Sequence, residues 1–108
     1  MKLKKEKLAL NQMIKNKTAA IIGFGASGRR HAKILKKLKM FENIYIVTKQ
    51  NNIAYEKVSL SGLLQINPDY FVICSETYKH ILHLKFINDN FSKKKIFLEK
   101  PIFERFYN

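Results

Sequence analysis

The sequence predicts an α/β protein, a doubly wound parallel sheet with helices on both faces. Three observations carry the prediction. A glycine-rich loop, Gly23-Phe24-Gly25-Ala26-Ser27-Gly28, joins a short apolar run to a basic segment with helical patterning. From Thr18 onward, strand-like and helix-like stretches alternate, as they do where parallel strands are linked by helical crossovers. Tyr70-Phe71-Val72-Ile73-Cys74 is apolar without alternation, as expected of a strand covered on both sides.

The elements follow in order. Residues 1–16 read as a basic leader with Leu3, Leu10, Met13 and Ile14 as packing points. A helix against the domain, a partner-binding segment and a frayed end all fit it. The first strand is expected over Thr18–Ile22. A helix should run from Ala26 to about Met40, with His31, Ile34, Leu35 and Leu38 forming its buried face. Asn43–Thr48 is a β-branched second strand, and a weak third strand falls near Ile53–Tyr55. Ser59 is placed to cap a short helix through Ile66, which Asn67-Pro68 ends. After the apolar strand at Tyr70–Cys74, a helix is expected from Thr77 to about Asn90, facing inward with Ile81, Leu84, Ile87 and Phe91. Lys95–Leu98 is the last strand. Right-handed crossovers put the first strand at the centre, with a crevice where the strand order reverses.

Composition narrows the class. A chain of 108 residues, 46% hydrophobic, fits one folded domain or part of one. No apolar run approaches the roughly 20 residues that span a bilayer, and Leu8-Ala9-Leu10 is too short for a signal-peptide core. The single cysteine, Cys74, excludes an internal disulfide framework and fits a reducing cytoplasm. The net charge of +13 raises the question of nucleic acid, but 18 of the 21 basic residues are scattered lysines. Only Arg29, Arg30 and Arg105 offer the bidentate fork that reads bases and grips phosphates. A solvated basic surface therefore accounts for the charge better than a nucleic-acid site.

The glycine loop carries the chemistry. Gly23 permits the tight strand-to-helix turn, Gly25 has no Cβ to hold a pyrophosphate off the backbone, and Gly28 lets helix and strand pack closely. The free N–H groups at the helix start then face a diphosphate. About 20 residues beyond the last glycine, NAD-binding domains keep an acidic residue for the ribose 2′-OH. Here Thr48 stands at that point, followed by Lys49 and Gln50, with no carboxylate between Glu42 and Glu56. A hydroxyl and an ammonium suit a 2′-phosphate, so NADP(H) is preferred over NAD(H). His80 and His83 share a helix face, but no cysteine or carboxylate cluster completes a ligand set near them, and no metal site is expected. His31 is expected to pack or hydrogen-bond locally, and Cys74 to be a small core residue.

Three segments, GFGASGRRH, PDYFVICSETYKH and FLEKPIF, occur in an order and spacing that resembles one family. The chain is similar, over Thr18 to about Phe103, to the N-terminal Rossmann domain of the glucose–fructose oxidoreductase, inositol dehydrogenase and rhizopine-catabolism family (Gfo/Idh/MocA). The resemblance implies an NAD(P)-dependent oxidoreductase acting on a sugar or cyclitol hydroxyl. It implies a pyrophosphate loop at Gly23, Phe24, Gly25, Ala26, Ser27 and Gly28, and cofactor contacts from Ser75, Glu76, Thr77 and His80. It also implies a Glu99-Lys100-Pro101 motif whose lysine lies near nicotinamide and substrate as the catalytic residue. A lysine there can stabilise developing oxyanion charge. Many members have proline where Glu76 stands, so that loop departs from the pattern.

The resemblance further implies a substrate domain that this sequence does not contain. Residues 17–108 are expected to form an incomplete, truncated Rossmann domain, active on a sugar-type substrate only with a C-terminal half. Its last strand, left at an open edge, favours self-association into a homo-oligomer. The competing class is a noncatalytic Rossmann-like module that binds a protein or nucleic-acid partner through its basic surface.

Overall fold

A computed structural model describes residues 17–99. The expected leader at 1–16, and Lys100 and Pro101 of the late motif, lie outside the described residues. The strands are β1 (Lys17–Ile22), β2 (Phe41–Val47), β3 (Glu56–Lys57), β4 (Tyr70–Ile73) and β5 (Lys95–Leu98). The helices are α1 (Ala26–Leu38), α2 (Leu63–Ile66) and α3 (His80–Asn90). All strand pairs are parallel, in the order β3-β2-β1-β4-β5. The expected Rossmann-like architecture is therefore present, with β1 central and β5 at one end of the order.

Strand β1 is buried on both sides, and its side chains alternate between two cores. Ala19 and Ile21 join Phe24, Ala32, Leu35, Ile46 and Val72 beneath α1. Ala20 and Ile22 join Leu63, Phe71, Ile73 and Ile87 on the opposite face, beneath α2 and α3. Helices thus cover both faces, which explains the unbroken apolar run of β4.

Several local expectations shift. In α1 the packed stripe is Gly28, Ala32 and Leu35, while Ile34 and Leu38 are 46% and 55% exposed. The small residues let the helix lie close to the sheet, and that approach rotates the larger apolar ones outward. The helix ends at Leu38 instead of Met40 because Lys39 turns into the left-handed region and donates its N–H to the Lys36 carbonyl. Strand β2 begins at Phe41, whose ring stacks on Tyr70 with centroids 5.6 Å apart. The third strand forms at Glu56–Lys57, because Ile53 and Tyr55 pack against the core as side chains and do not pair.

The Ser59 hydroxyl accepts the Gly62 N–H, capping the turn that leads into α2, and Asn67 ends that helix in the left-handed region. The segment from Thr77 opens as a 3-10 turn, Thr77–Lys79, before α3 begins. Ile81 was expected inside, yet it is 55% exposed. Buried His80 bonds the Ser75 carbonyl and sets the helix rotation, so His80, Leu84 and Ile87 face the sheet. No helix among the described residues is long and apolar enough to cross a membrane.

Candidate functional site

The glycine loop is held between the ends of two strands. Gly23 leaves β1 with φ +101, a conformation side chains rarely adopt, and its N–H is bonded to the Val47 carbonyl at 2.9 Å. A Cβ there would sit 2.6–2.7 Å from Ser75 N and from the carbonyl of Cys74. At Gly28 a Cβ would meet the Gly23 carbonyl oxygen at 2.1 Å, so helix and loop touch backbone to backbone. Gly25 is the opposite case: nothing lies within 4 Å of the Cβ position. It occupies the N-cap of α1 with no side-chain hydrogen bond, and the first turn carries no acidic residue. That combination leaves N–H donors and the positive helix end available to an anion.

In front of this loop lies a crevice of about 1060 Å³, at the carboxyl ends of β1, β2, β4 and β5. Such a position, outside the strand ends where the order reverses, is the usual ligand site of an open α/β sheet. Gly23, Phe24, Gly25 and Ser27 line it on the loop side, and Thr48 and Lys49 on the β2 side. Ser75, Glu76, Thr77, His80 and Glu99 line the other wall. Of the predicted residues, Gly28 is buried behind the loop and Ala26 opens α1; neither is among the residues lining the crevice. Lys49, Lys57 and Lys79 add three ammonium groups to the walls, Lys57 bonding Asn51 at 3.1 Å.

Beyond β2 the structure reveals a constellation that sequence reasoning missed. The Gln50 amide donates to the Phe24 carbonyl at 2.8 Å and accepts from the Arg29 guanidinium at 2.6 Å. Arg29 also lies over the Phe24 ring, 4.7 Å from its centroid. The loop, the first turn of α1 and the end of β2 are thereby tied together beside Thr48, whose hydroxyl accepts the Gln50 N–H. An arginine directly after the last loop glycine was the available signal, since an arginine near this corner can receive a 2′-phosphate.

On the other wall the polar groups bond one another. The Ser75 hydroxyl is hydrogen-bonded to Nδ1 of His83 at 2.7 Å, and His80 Nε2 donates to the Ser75 carbonyl at 2.7 Å. Burial, followed by the nearby Lys79 and His80, holds His83 below the ordinary histidine range. His83 also lines the crevice, where sequence reasoning did not place it. Burial pushes the Cys74 thiol up, with Glu99 acting in the same direction and Ser27 and Arg30 opposing. Cys74 is half-buried, less enclosed than a core residue.

Glu99 turns back onto α1. It accepts from the Ser27 hydroxyl at 2.5 Å and from His31 Nε2 at 2.8 Å, with the Arg30 guanidinium 3.5 Å away. His31, expected to pack or hydrogen-bond locally, does pack, its ring resting on Phe97, but its hydrogen bond goes to a partner 68 residues along the chain.

The sequence model of the family described as acetohydroxy acid isomeroreductase, NADPH-binding domain, matches residues 13–81. Among solved structures, RSP, a Rex-family repressor, is similar with a TM-score of 0.66 and 15% identity, covering 99% of this chain and 56% of that one. A chorismate mutase/shikimate 5-dehydrogenase fusion protein from Clostridium acetobutylicum is similar with a TM-score of 0.54 and 17% identity, covering 87% of this chain and 45% of that one. At these identities the likeness is one of fold, and the chain spans about half the length of each structure. No curated protein matches it in sequence.

Proposed function

Because the chain belongs to the acetohydroxy acid isomeroreductase NADPH-binding domain family, we propose that it is the NADPH-holding half of an oxidoreductase. The observation that carries this is the open space in front of Gly25, at an uncapped helix start with no acidic residue in its first turn. Such a cradle fits a diphosphate.

The diphosphate lies against Gly23, Phe24, Gly25, Ala26 and Ser27, with Gly28 keeping α1 near enough to aim its N–H groups. Thr48 and Lys49 take the ribose 2′-phosphate, and Arg29 supplies the fork, held in place by Gln50. Ser75, Glu76, Thr77, His80 and Glu99 would hold the nicotinamide end, and the Gfo/Idh/MocA resemblance assigns Lys100 and Pro101 to the same end. Bound NADPH supplies the hydride. The protein's part is to orient it and to keep the polar wall around Ser75 fixed.

In the reading that the Gfo/Idh/MocA resemblance implies, the substrate that accepts the hydride and the groups that donate its proton are held by a separate substrate domain, and the described residues supply the cofactor side. A sugar or cyclitol acceptor follows from the Gfo/Idh/MocA resemblance, whose late motif at Glu99-Lys100-Pro101 lies beyond the matched residues 13–81. Support for that substrate class is therefore the motif alone. A reducing cytoplasmic setting accords with the single cysteine.

Calorimetric titration of the purified chain with each cofactor tests the proposal. NADPH should bind more tightly than NADH. Arg29→Ala and Lys49→Ala should each weaken NADPH about tenfold, the size of one charge-assisted contact, and leave NADH nearly unchanged. Thr48→Asp should move the preference toward NADH, because a carboxylate accepts from a 2′-OH and repels a 2′-phosphate. Equal affinity for both cofactors would overturn the NADPH assignment, and absence of binding by either would overturn the proposal.

A further inference from the structure

We propose that His31, Cys74 and Glu99 form a site for a borderline divalent transition ion, zinc being the best fit. The three side chains come from three separate elements: the second turn of α1, the residue after β4 and the residue after β5. One ligand atom from each, an imidazole nitrogen, the thiol sulfur and a carboxylate oxygen, all lie within 4.8 Å of one another. A tetrahedral zinc with bonds of about 2.0–2.3 Å holds its ligand atoms about 3.3–3.8 Å apart. Closing from 4.8 Å takes side-chain rotation by a fraction of a bond length per residue. The His31–Glu99 pair, at 2.8 Å, has only to open slightly.

The donor set is selective. A thiolate, an imidazole and a carboxylate together suit zinc and disfavour the hard cations, which want oxygen throughout. Three protein ligands also leave the fourth position to water or to the Ser27 hydroxyl, which already lies 3.6 Å from Cys74 Sγ and bonds Glu99. Arg30 stands against a cation here, but its side chain is 63% exposed and swings into solvent at little cost. All three ligands are partly buried, which sets them apart from the surface acidic groups that gather without an ion.

Binding is balanced by the release of the thiol proton and transfer of the imidazole proton from Nε2 to Nδ1. Because Cys74 is the sole cysteine of the chain, any thiolate–metal signal reports this site and no other. Cys74, Glu99 and Ser27 also line the crevice, so the ion and the dinucleotide would be neighbours, but the test needs no cofactor and can fail or succeed whatever the dinucleotide reading does.

Cobalt(II), titrated into the full chain without cofactor, is the probe. The expected result is one equivalent bound, with visible bands of tetrahedral intensity and a thiolate-to-cobalt charge-transfer band in the near ultraviolet. That band should vanish in Cys74→Ser, and zinc, measured by competition with a chromophoric chelator, should bind His31→Gln and Glu99→Gln at least tenfold more weakly. Circular dichroism of each variant checks that it folds, and the conservative Glu99→Gln keeps the shape of the carboxylate if the others do not. A titration of the unaltered chain that yields no charge-transfer band overturns the site. So does zinc affinity that is unchanged in both His31→Gln and Glu99→Gln.

Discussion

The two walls of the crevice are built on opposite plans. On the β1–α1–β2 side the backbone is bare: Gly25 has empty space before it and no side chain caps the helix start. On the β4–α3–β5 side the polar groups already have partners: Ser75 bonds His83, His80 bonds the Ser75 carbonyl, and Glu99 reaches across to Ser27 and His31 of α1. The first wall gains hydrogen bonds when an anion arrives. The second must exchange existing bonds for new ones, or keep them and act as a rigid surface. One sheet thus offers binding strength on one side and shape on the other.

The contrast breaks most completely at Gly23. Gly23→Ala puts a Cβ against Cys74 and Ser75 backbone in a left-handed conformation, and neither strand end can move aside. A loss of about 3 kcal/mol or more in stability is expected, read by urea denaturation. A well-folded Gly23→Ala chain would show that the two walls are not welded there.

Gly25→Val separates binding from folding. Its φ of −80 with an extended ψ is open to valine and the Cβ meets no protein atom, so the stability loss should stay near the cost of an apolar residue at an N-cap, about 1 kcal/mol. NADPH affinity should fall at least thirtyfold, about 2 kcal/mol, because the side chain fills the diphosphate space. Unchanged binding would reduce the open wall to a structural turn.

The smallest effect sharpens the closed wall. His83 is held below the ordinary histidine value of 6.5, so the folded chain gives up that proton more readily than the unfolded chain. Its contribution to stability is complete above that value and is lost as pH falls through the lower folded one. The stability of the native chain should decline on acidification through this window, and His83→Gln should decline less. Urea midpoints across the window measure the difference, and identical slopes would remove His83 from the closed network.

What the residues revealed in advance divides along the same line. The glycines, the strand at Lys95–Leu98 and the both-sides-buried β4 were legible because each depends on neighbours in sequence. Arg29–Gln50 and His31–Glu99 were not, since partners 21 and 68 residues apart meet only once the sheet has formed. Helix faces were legible in part, since Leu35, Leu84, Ile87 and Phe91 do pack inward, and the misses have a related reason. Counting apolar residues selected Ile34, Leu38 and Ile81, whereas close approach at Gly28 and Ala32, and one hydrogen bond from His80, decided which stripe went inside.

The lysines around the crevice have a consequence in time as well as in affinity. Lys49, Lys57 and Lys79 line its walls on a chain whose net charge is +13, so a polyanion is drawn toward the opening before it touches anything. Mobile ions shorten that pull to about 8 Å at physiological ionic strength. Capture of the cofactor should therefore be fast in dilute buffer and slow steeply as salt is added. Its departure, set by contacts at the loop, should change much less.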